Sequence, residues 1–497
     1  MKTRTWSRRE IIKTLGAGTA AVGVPAWLTR CSPQSKRPNV LFIAVDDLND
    51  WVNCLGGRPG VQTPNLDRLA SRGVLFTNAH CSAPACNPSR ASLMTGIRPT
   101  TSGIYGNTQP WRESPVLREA ITLPENFRSR GYRVVGGGKM FHCLSWIWKT
   151  YGLDMNDPKC WDEYFPSKVR QMPDDYFPNP DFKIIDREVV AGRMARGEIG
   201  TPPPWYFDWA PVDAPDEAMA DSKVADWAIG ELKRHQDRPL FQAVGIFKPH
   251  IPWYVPKKYF DFYPLERIEL PESPPDWMRE TSEAGRRMGA ERRAWHQWVV
   301  DNNQWKRAIQ GYLAGISFAD AQIGRIIDAL DAGPSARDTI IVLWSDHGFH
   351  LGERETWEKF TLWEESTRVT MMMVVPGLTR PGGRCAAPAS LLDIYPTLVE
   401  LTGGTPPAAI EGTSLVPLLR DPGLTIDRPV SSSWLNDHAV RSRRWRYIRY
   451  ADGSEELYDH ADDPGEYRNL AGERRFDETK RDLARWLPEV KIPYRPE

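Results

Sequence analysis

The sequence predicts an α/β fold built on a parallel-type sheet covered by helices, with a smaller antiparallel region at its C-terminal end. Three observations carry this. The apolar runs Asn39 to Val45, Pro239 to Phe247 and Thr339 to Ser345 are continuous rather than alternating, the pattern of strands buried on both faces. Each run stops at polar, ligand-type residues: Asp46-Asp47, Lys248-Pro249-His250 and Asp346-His347-Gly348. Between the runs lie helical patterns, at Thr63 to Ala70 behind a start signal and at Ala319 to Leu330. Open α/β sheets place their sites at the carboxyl ends of parallel strands, so these distant segments are expected to meet in one crevice.

At the start of the chain, Ser7-Arg8-Arg9-Glu10-Ile11-Ile12-Lys13 is followed by a weakly apolar, Gly/Ala-rich run to about Leu28, which resembles a twin-arginine export signal. Residues 1–31 are therefore read as a targeting segment, handled by the twin-arginine machinery and delivering a folded protein to the periplasm or cell surface. Val24-Pro25-Ala26 offers small-residue cleavage. Leu28-Thr29-Arg30-Cys31 resembles a lipoprotein box interrupted by Arg30, so a lipid anchor at Cys31 is the lesser reading.

The 497 residues exceed the usual ceiling for a single core, so a large domain over 38–420 and a small one over 421–497 are expected. The 64 basic and 64 acidic side chains cancel, which argues against a nucleic-acid partner. No apolar stretch reaches the length of a bilayer-spanning helix. Seven cysteines are too few and odd in number for a disulfide framework, leaving at least one thiol with another fate. Residues 144–215, rich in Trp, Pro, Tyr and Asp, and the charged segment 262–300 read as insertions near the mouth of the site. Near the end, Trp445 to Tyr450, then Asp452-Gly453, then Glu456 to Asp459 read as a hairpin.

The segment that carries chemistry is Cys86-Asn87-Pro88-Ser89-Arg90, continuing to Thr95-Gly96. It resembles the sulfatase signature Cys-x-Pro-Ser-Arg with its following Thr-Gly. Gly138-Lys139-Met140-Phe141-His142, Lys248-Pro249-His250-Ile251-Pro252-Trp253 and Asp346-His347 are similar to the iduronate-2-sulfatase branch of the type I family, over nearly the whole mature chain. The resemblance implies an alkaline-phosphatase-like α/β/α sandwich with a C-terminal α+β domain. It also implies that a separate maturation enzyme, the formylglycine-generating enzyme or an equivalent, oxidises Cys86 to formylglycine. A hydrated aldehyde carries two hydroxyls on one carbon: one can attack sulfur, and the other can later expel sulfate by re-forming the carbonyl. A serine could do only the first.

The same resemblance implies one divalent cation, Ca²⁺ in preference to Mg²⁺, held by Asp46, Asp47, Asp346 and formylglycine 86, with His347 in place of the commoner Asn. Taken alone, an Asp-Asp after a strand is more often a turn and helix cap, but two such sites, each closing a buried strand, favour ligands. Arg90, Lys139 and Lys359 would neutralise sulfate oxygens, and His250 would protonate the leaving sugar oxygen. His142 would take a proton from the second hydroxyl, so that the reaction runs through a sulfated enzyme. Trp253 and the segment Trp205 to Trp209 are candidates for a sugar-stacking wall, and Asn107 for a substrate contact. The expected partner is a sulfated oligo- or polysaccharide. Two other readings stand beside this one: a phosphate mono- or diester hydrolase of the same superfamily, and a non-catalytic glycan-binding protein on the same scaffold.

Overall fold

The computed structural model describes residues 37–143, 154–173, 203–204, 206–234, 237–274, 276–426 and 428–495. The targeting segment and Trp205 lie outside them. Residues 38–497 form one compact unit. Its centre is an eight-stranded sheet of β1 (Asn39–Val45), β2 (Val74–Phe76), β3 (Arg133–Gly138), β4 (Glu163–Phe165), β5 (Leu240–Ile246), β6 (Thr339–Ser345), β7 (Met371–Val374) and β8 (Gly383–Cys385). The spatial order is β8-β2-β7-β6-β1-β5-β3-β4. β1 pairs in parallel with both β5 and β6, and β3 with β5 and β4. Only β7 runs against its neighbours in this sheet.

The continuous apolar runs are explained by the two-sided burial of the strands. Along β1, Val40, Phe42 and Ala44 point into one core and Leu41, Ile43 and Val45 into the other. The first core contains α2 (Cys86–Thr95), and the second is closed by the long helix α5 (Trp305–Asp331) with α1 (Pro64–Ala70) and α3 (Ala220–Lys233). Each fully buried Leu, Ile or Phe contributes roughly 1.5–3 kcal/mol relative to exposure, so β1 is a major anchor of the sandwich. A further helix, α4 (Ala290–Asp301), lies in the segment expected to be an insertion. The helical spacing read from Ala319 to Leu330 is the second half of α5.

β3 was not legible as a strand because Gly136, Gly137 and Gly138 interrupt its apolar pattern. The glycines serve packing. A Cβ on Gly138 would lie 1.9 Å from the Gly245 carbonyl oxygen, and one on Gly245 would lie 2.3 Å from the Lys139 backbone. This close approach brings the ends of β3 and β5 together, and with them Lys139 and the segment after Ile246.

The C-terminal part is an antiparallel meander of β9 (Val430–Trp434), β10 (Asp437–Arg441), β11 (Trp445–Arg449) and β12 (Glu455–Asp459). The expected hairpin joins β11 to β12, with Gly453 at φ 85° in the turn. The meander leans on the catalytic part: Ser433 N–H donates to Ser82 O at 2.9 Å and the Ser432 hydroxyl to Cys81 O at 2.6 Å, just before α2 begins. All six cysteines among the described residues are free thiols. No helix among the described residues is long and apolar enough to cross a membrane.

Candidate active site

Four adjacent parallel strands deliver the site. β1 ends at Asp46-Asp47, β6 at Asp346-His347, β3 at Lys139, and β5 at the segment carrying Lys248 and His250. α2 points its first turn at the same spot, with Cys86 as its first residue and Arg90 one turn on. The dipole of that turn favours negative charge there. Asp46, Asp47, Cys86, Arg90, Asp346 and His347 are all fully buried, and Lys139, His142 and Lys359 nearly so. His250, 8% exposed, is the most accessible of the set and marks the outer edge.

Cys86 Sγ lies 3.3 Å from Lys359 Nζ, 3.8 Å from Lys139 Nζ and 3.3 Å from His347 Nε2. Two ammonium groups thus flank the residue expected to become formylglycine. Lys359 also donates to Asp47 Oδ1 at 2.6 Å, and Lys139 makes an ion pair with Asp46. Lys359 is presented by a contorted segment in which Arg354, Glu355, Glu358 and Phe360 all have positive φ, between 52° and 74°. Non-glycine residues in the left-handed region cost about 1–3 kcal/mol each, strain that surrounding structure must overcome.

Arg90 has its donors committed within the protein. Nε donates to Asp346 Oδ2 at 2.8 Å, Nη2 to Asp46 Oδ1 at 2.9 Å, and Nη1 to the carbonyls of Lys139 (2.6 Å) and Met140 (3.2 Å). The expected contact of Arg90 with sulfate oxygens is therefore corrected: it clamps two carboxylates and the Lys139 backbone. Ser89 assists, its hydroxyl donating to Asp346 O at 2.5 Å.

The charges are strongly coupled. Burial is the largest influence on the Asp46 and Asp346 carboxyls and raises both, but Lys139 with Arg90 and His250 at Asp46, and Arg90 with His347 and Lys139 at Asp346, together outweigh it, so both sit below their ordinary value. At Asp47 burial prevails over Lys359, with Asp46 adding repulsion, and its carboxyl is pushed up to about 7. Burial would depress His347, yet Asp346 beside it, joined by Cys86, raises the ring to about 9. Burial followed by Lys139 holds His142 and His250 well below the usual imidazole range, so both rings are neutral.

These residues fit a hard divalent cation. One ligand atom from each of Asp47, Cys86, Asp346 and His347 lies within 4.8 Å of the others, and Asp46, Asp47 and His250 form an overlapping group. Asp47 Oδ2 is buried without a hydrogen-bond partner, an orphan acceptor that a cation would satisfy. His347 Nδ1 donates to Gly348 O at 2.8 Å, which turns Nε2 to the centre, where a bound cation would take the place of its proton. Carboxylate-rich donor sets suit Ca²⁺ or Mg²⁺. A third group, Glu364, His460 and Glu466, is as compact, but Arg446 and Arg441 already pair with its carboxylates.

Two expected contacts fall elsewhere. Trp253 is fully buried; its ring stacks on Trp209 at 5.8 Å and its indole donates to Pro249 O at 2.7 Å. Neither tryptophan offers a face to a sugar, because both are needed to fill the core beside α5. Asn107 Oδ1 accepts from Asn87 N–H at 3.0 Å, so it caps the start of α2 rather than facing a ligand. Conversely, sequence reasoning missed Asp221 and assigned no role to Lys248, both fully buried behind His250. Burial pushes Asp221 up to about 6 and Lys248 down to about 7. A lone Asp in the first turn of a helix reads as an ordinary cap, and no spacing links it to His250.

Known proteins with the same features place the chain. A sulfatase family model matches residues 38–404, and one for the C-terminal region of N-sulphoglucosamine sulphohydrolase matches 352–492. A sulfatase of Formosa agariphila is 38% identical over 464 residues, covering 92% of this chain and 88% of that one. Human iduronate 2-sulfatase is 29% identical over 428 residues, covering 76% and 70%. In fold, the chain is similar to BT4656, solved with D-glucosamine-2-N,6-O-disulfate as its substrate, at a TM-score of 0.67 and 20% identity over 90% of this chain and 96% of that one. With its central α/β sheet, its C-terminal antiparallel sheet and its signature at Cys86, the chain belongs to the sulfatase family, the hydrolases of sulfuric esters.

Proposed function

We propose that this protein removes sulfate esters from a sulfated oligo- or polysaccharide, using formylglycine made from Cys86 and one Ca²⁺, with a specificity of the iduronate-2-sulfatase type. The observation that carries the reading is the convergence of Lys139 and Lys359 on Cys86 Sγ beside three buried carboxylates. Three buried carboxyls side by side call for cations, and a sulfate lodged between two ammoniums needs a nucleophile at residue 86. The similarity to iduronate 2-sulfatases supports a sulfated sugar as substrate.

When bound, the cation would polarise a sulfate oxygen and lower the proton affinity of the attacking hydroxyl. Formylglycine, as its hydrate, would supply that hydroxyl and a second one whose deprotonation expels sulfate. The chain's own residues do the rest. Lys139 and Lys359 grip the sulfate and spread its growing charge, while Arg90 keeps Asp46 and Asp346 in place. His250 Nδ1 donates to Ile251 O at 2.5 Å, so Nε2 is the atom that carries a transferable proton to the leaving oxygen. Sulfate bound between the lysines would add negative charge beside the ring and oppose the burial and lysine repulsion that keep it neutral in the free protein. His142, whose two ring nitrogens are both buried without partners, acts as the neutral proton acceptor in this reading.

Arg8-Arg9 and the run after them support export by the twin-arginine route to the periplasm or cell surface. The test is peptide mass spectrometry across Cys86 after co-expression with a formylglycine-generating enzyme, joined to sulfate release from sulfated glycans in calcium. Conversion at Cys86, with release lost in Cys86→Ala, is expected. Full conversion with preferential turnover of nitrophenyl phosphate over nitrophenyl sulfate would overturn the reading in favour of phosphoester hydrolysis.

A further inference from the structure

We propose that Asp221 is a positioning residue that aims His250 at the reaction centre through the 247–253 segment. The inference rests on the general-acid role proposed above for His250. Asp221, in the first turn of α3, is 1% exposed, and each of its oxygens takes one backbone N–H: Phe247 at 2.8 Å and Lys248 at 2.9 Å. The Lys248 ammonium then folds back along the same segment, donating to His250 O at 3.3 Å and to Pro252 O. Trp253 holds Pro249 O from the far side, and Gly315 of α5 leaves room for Pro249, whose Cβ would be 3.2 Å from a side chain there.

Every bond in this chain ends on backbone atoms flanking His250. Its N–H donates to Phe247 O at 2.9 Å, its ring packs on Phe247 at 4.6 Å, and its Nδ1 is held by Ile251 O. The result is a ring whose Nε2 lies 3.7 Å from Asp47 Oδ2. Asp221 touches no reacting atom. What makes a carboxylate necessary is that two donors arrive from one side, one per oxygen. An amide has one acceptor oxygen and would set an N–H group against an N–H group, so Asp221→Asn must release one of the two anchors.

The experiment compares wild type, Asp221→Asn and His250→Ala, each bearing formylglycine and loaded with calcium, on aryl sulfates of graded leaving-group acidity. Nitrophenolate leaves without a proton; less acidic phenols need one. Asp221→Asn should leave KM unchanged, leave kcat on nitrophenyl sulfate within a factor of about 3, and lower kcat on the least acidic phenols by about 10-fold or more. A crystal structure of Asp221→Asn should show the His250 ring turned from Asp47. A wild-type leaving-group dependence, or an unmoved ring, would overturn the positioning role. If His250→Ala itself keeps the wild-type dependence, the general-acid reading falls instead. Should Asp221→Asn fail to fold, Lys248→Met cuts the same chain one link later and is held to the same two readouts.

Discussion

Lys359 is the residue whose removal separates binding from structure most cleanly. Its ammonium is 3.3 Å from Cys86 Sγ and neutralises Asp47, so Lys359→Met takes a positive charge from the point where sulfate charge grows. Loss of one preorganised electrostatic contact typically costs about 10²–10³ in kcat, and a fall of that size in steady-state sulfate release is the expected result. Asp47 makes a second prediction. Its orphan Oδ2 and raised carboxyl mark a ligand waiting for a cation, so calcium should raise the thermal unfolding temperature of wild type but leave Asp47→Asn unmoved. An equal rise in both would remove Asp47 from the metal site. At this scale most of the site was legible: Asp46-Asp47, Asp346-His347 and Cys86 close strands or open a helix, and their types announce chemistry. Arg90 and Trp253 were misread for the same physical reason. Their residue types suit a ligand, but whether a guanidinium or an indole is already satisfied by its neighbours depends on contacts far away in sequence.

At the scale of elements, strands were legible where burial on both faces makes the apolar run continuous, as in β1, β5 and β6. They were hidden where close packing replaces side chains by glycine, as in β3. The same logic operates in α5, whose Gly311 faces the buried tryptophans: a Cβ there would meet Trp209 Cβ at 2.8 Å and Trp253 Cβ at 3.2 Å. Helix propensity alone favours every side chain but proline over glycine, by up to about 1 kcal/mol. The steric term should win, because the opposing atoms are the roots of two large rings and cannot swing aside. Gly311→Val is therefore expected to destabilise the fold by about 1–3 kcal/mol, read as a lower urea midpoint with an unchanged m-value. An unchanged or raised midpoint would show that α5 can shift away from the Trp209–Trp253 stack, and with it that the clamp on the His250 segment is soft.

The whole molecule is tied together by ion pairs that no local pattern announces. Arg446 of β11 is fully buried, pairs with Glu466 and Glu364, and donates to Leu362 O at 3.0 Å, so the C-terminal meander grips the segment immediately after Lys359. The hairpin of the meander was legible in the sequence; its hold on the site was not, because the partners are 20 to 84 residues apart. Glu466 gives this link a pH signature. Burial by itself would raise its carboxyl above the ordinary 4.5, but Arg446, followed by His460, brings it down to about 2. A carboxyl lowered on folding contributes stability that is full above about pH 4.5 and is lost as the pH falls through about 2. Glu466→Gln, which leaves the Arg446 charge short of a partner, should then cost about 3 kcal/mol at pH 7. The gap between variant and wild type should hold constant in urea titrations from pH 7 to about pH 5 and narrow from there towards pH 2, as first the unfolded chain and then the folded one takes up the proton. A gap that stays constant over that range would mean the carboxylate acts through shape alone, and that the meander is held to the catalytic part by the Ser432 hydroxyl on Cys81 O and the Ser433 N–H on Ser82 O rather than by Arg446.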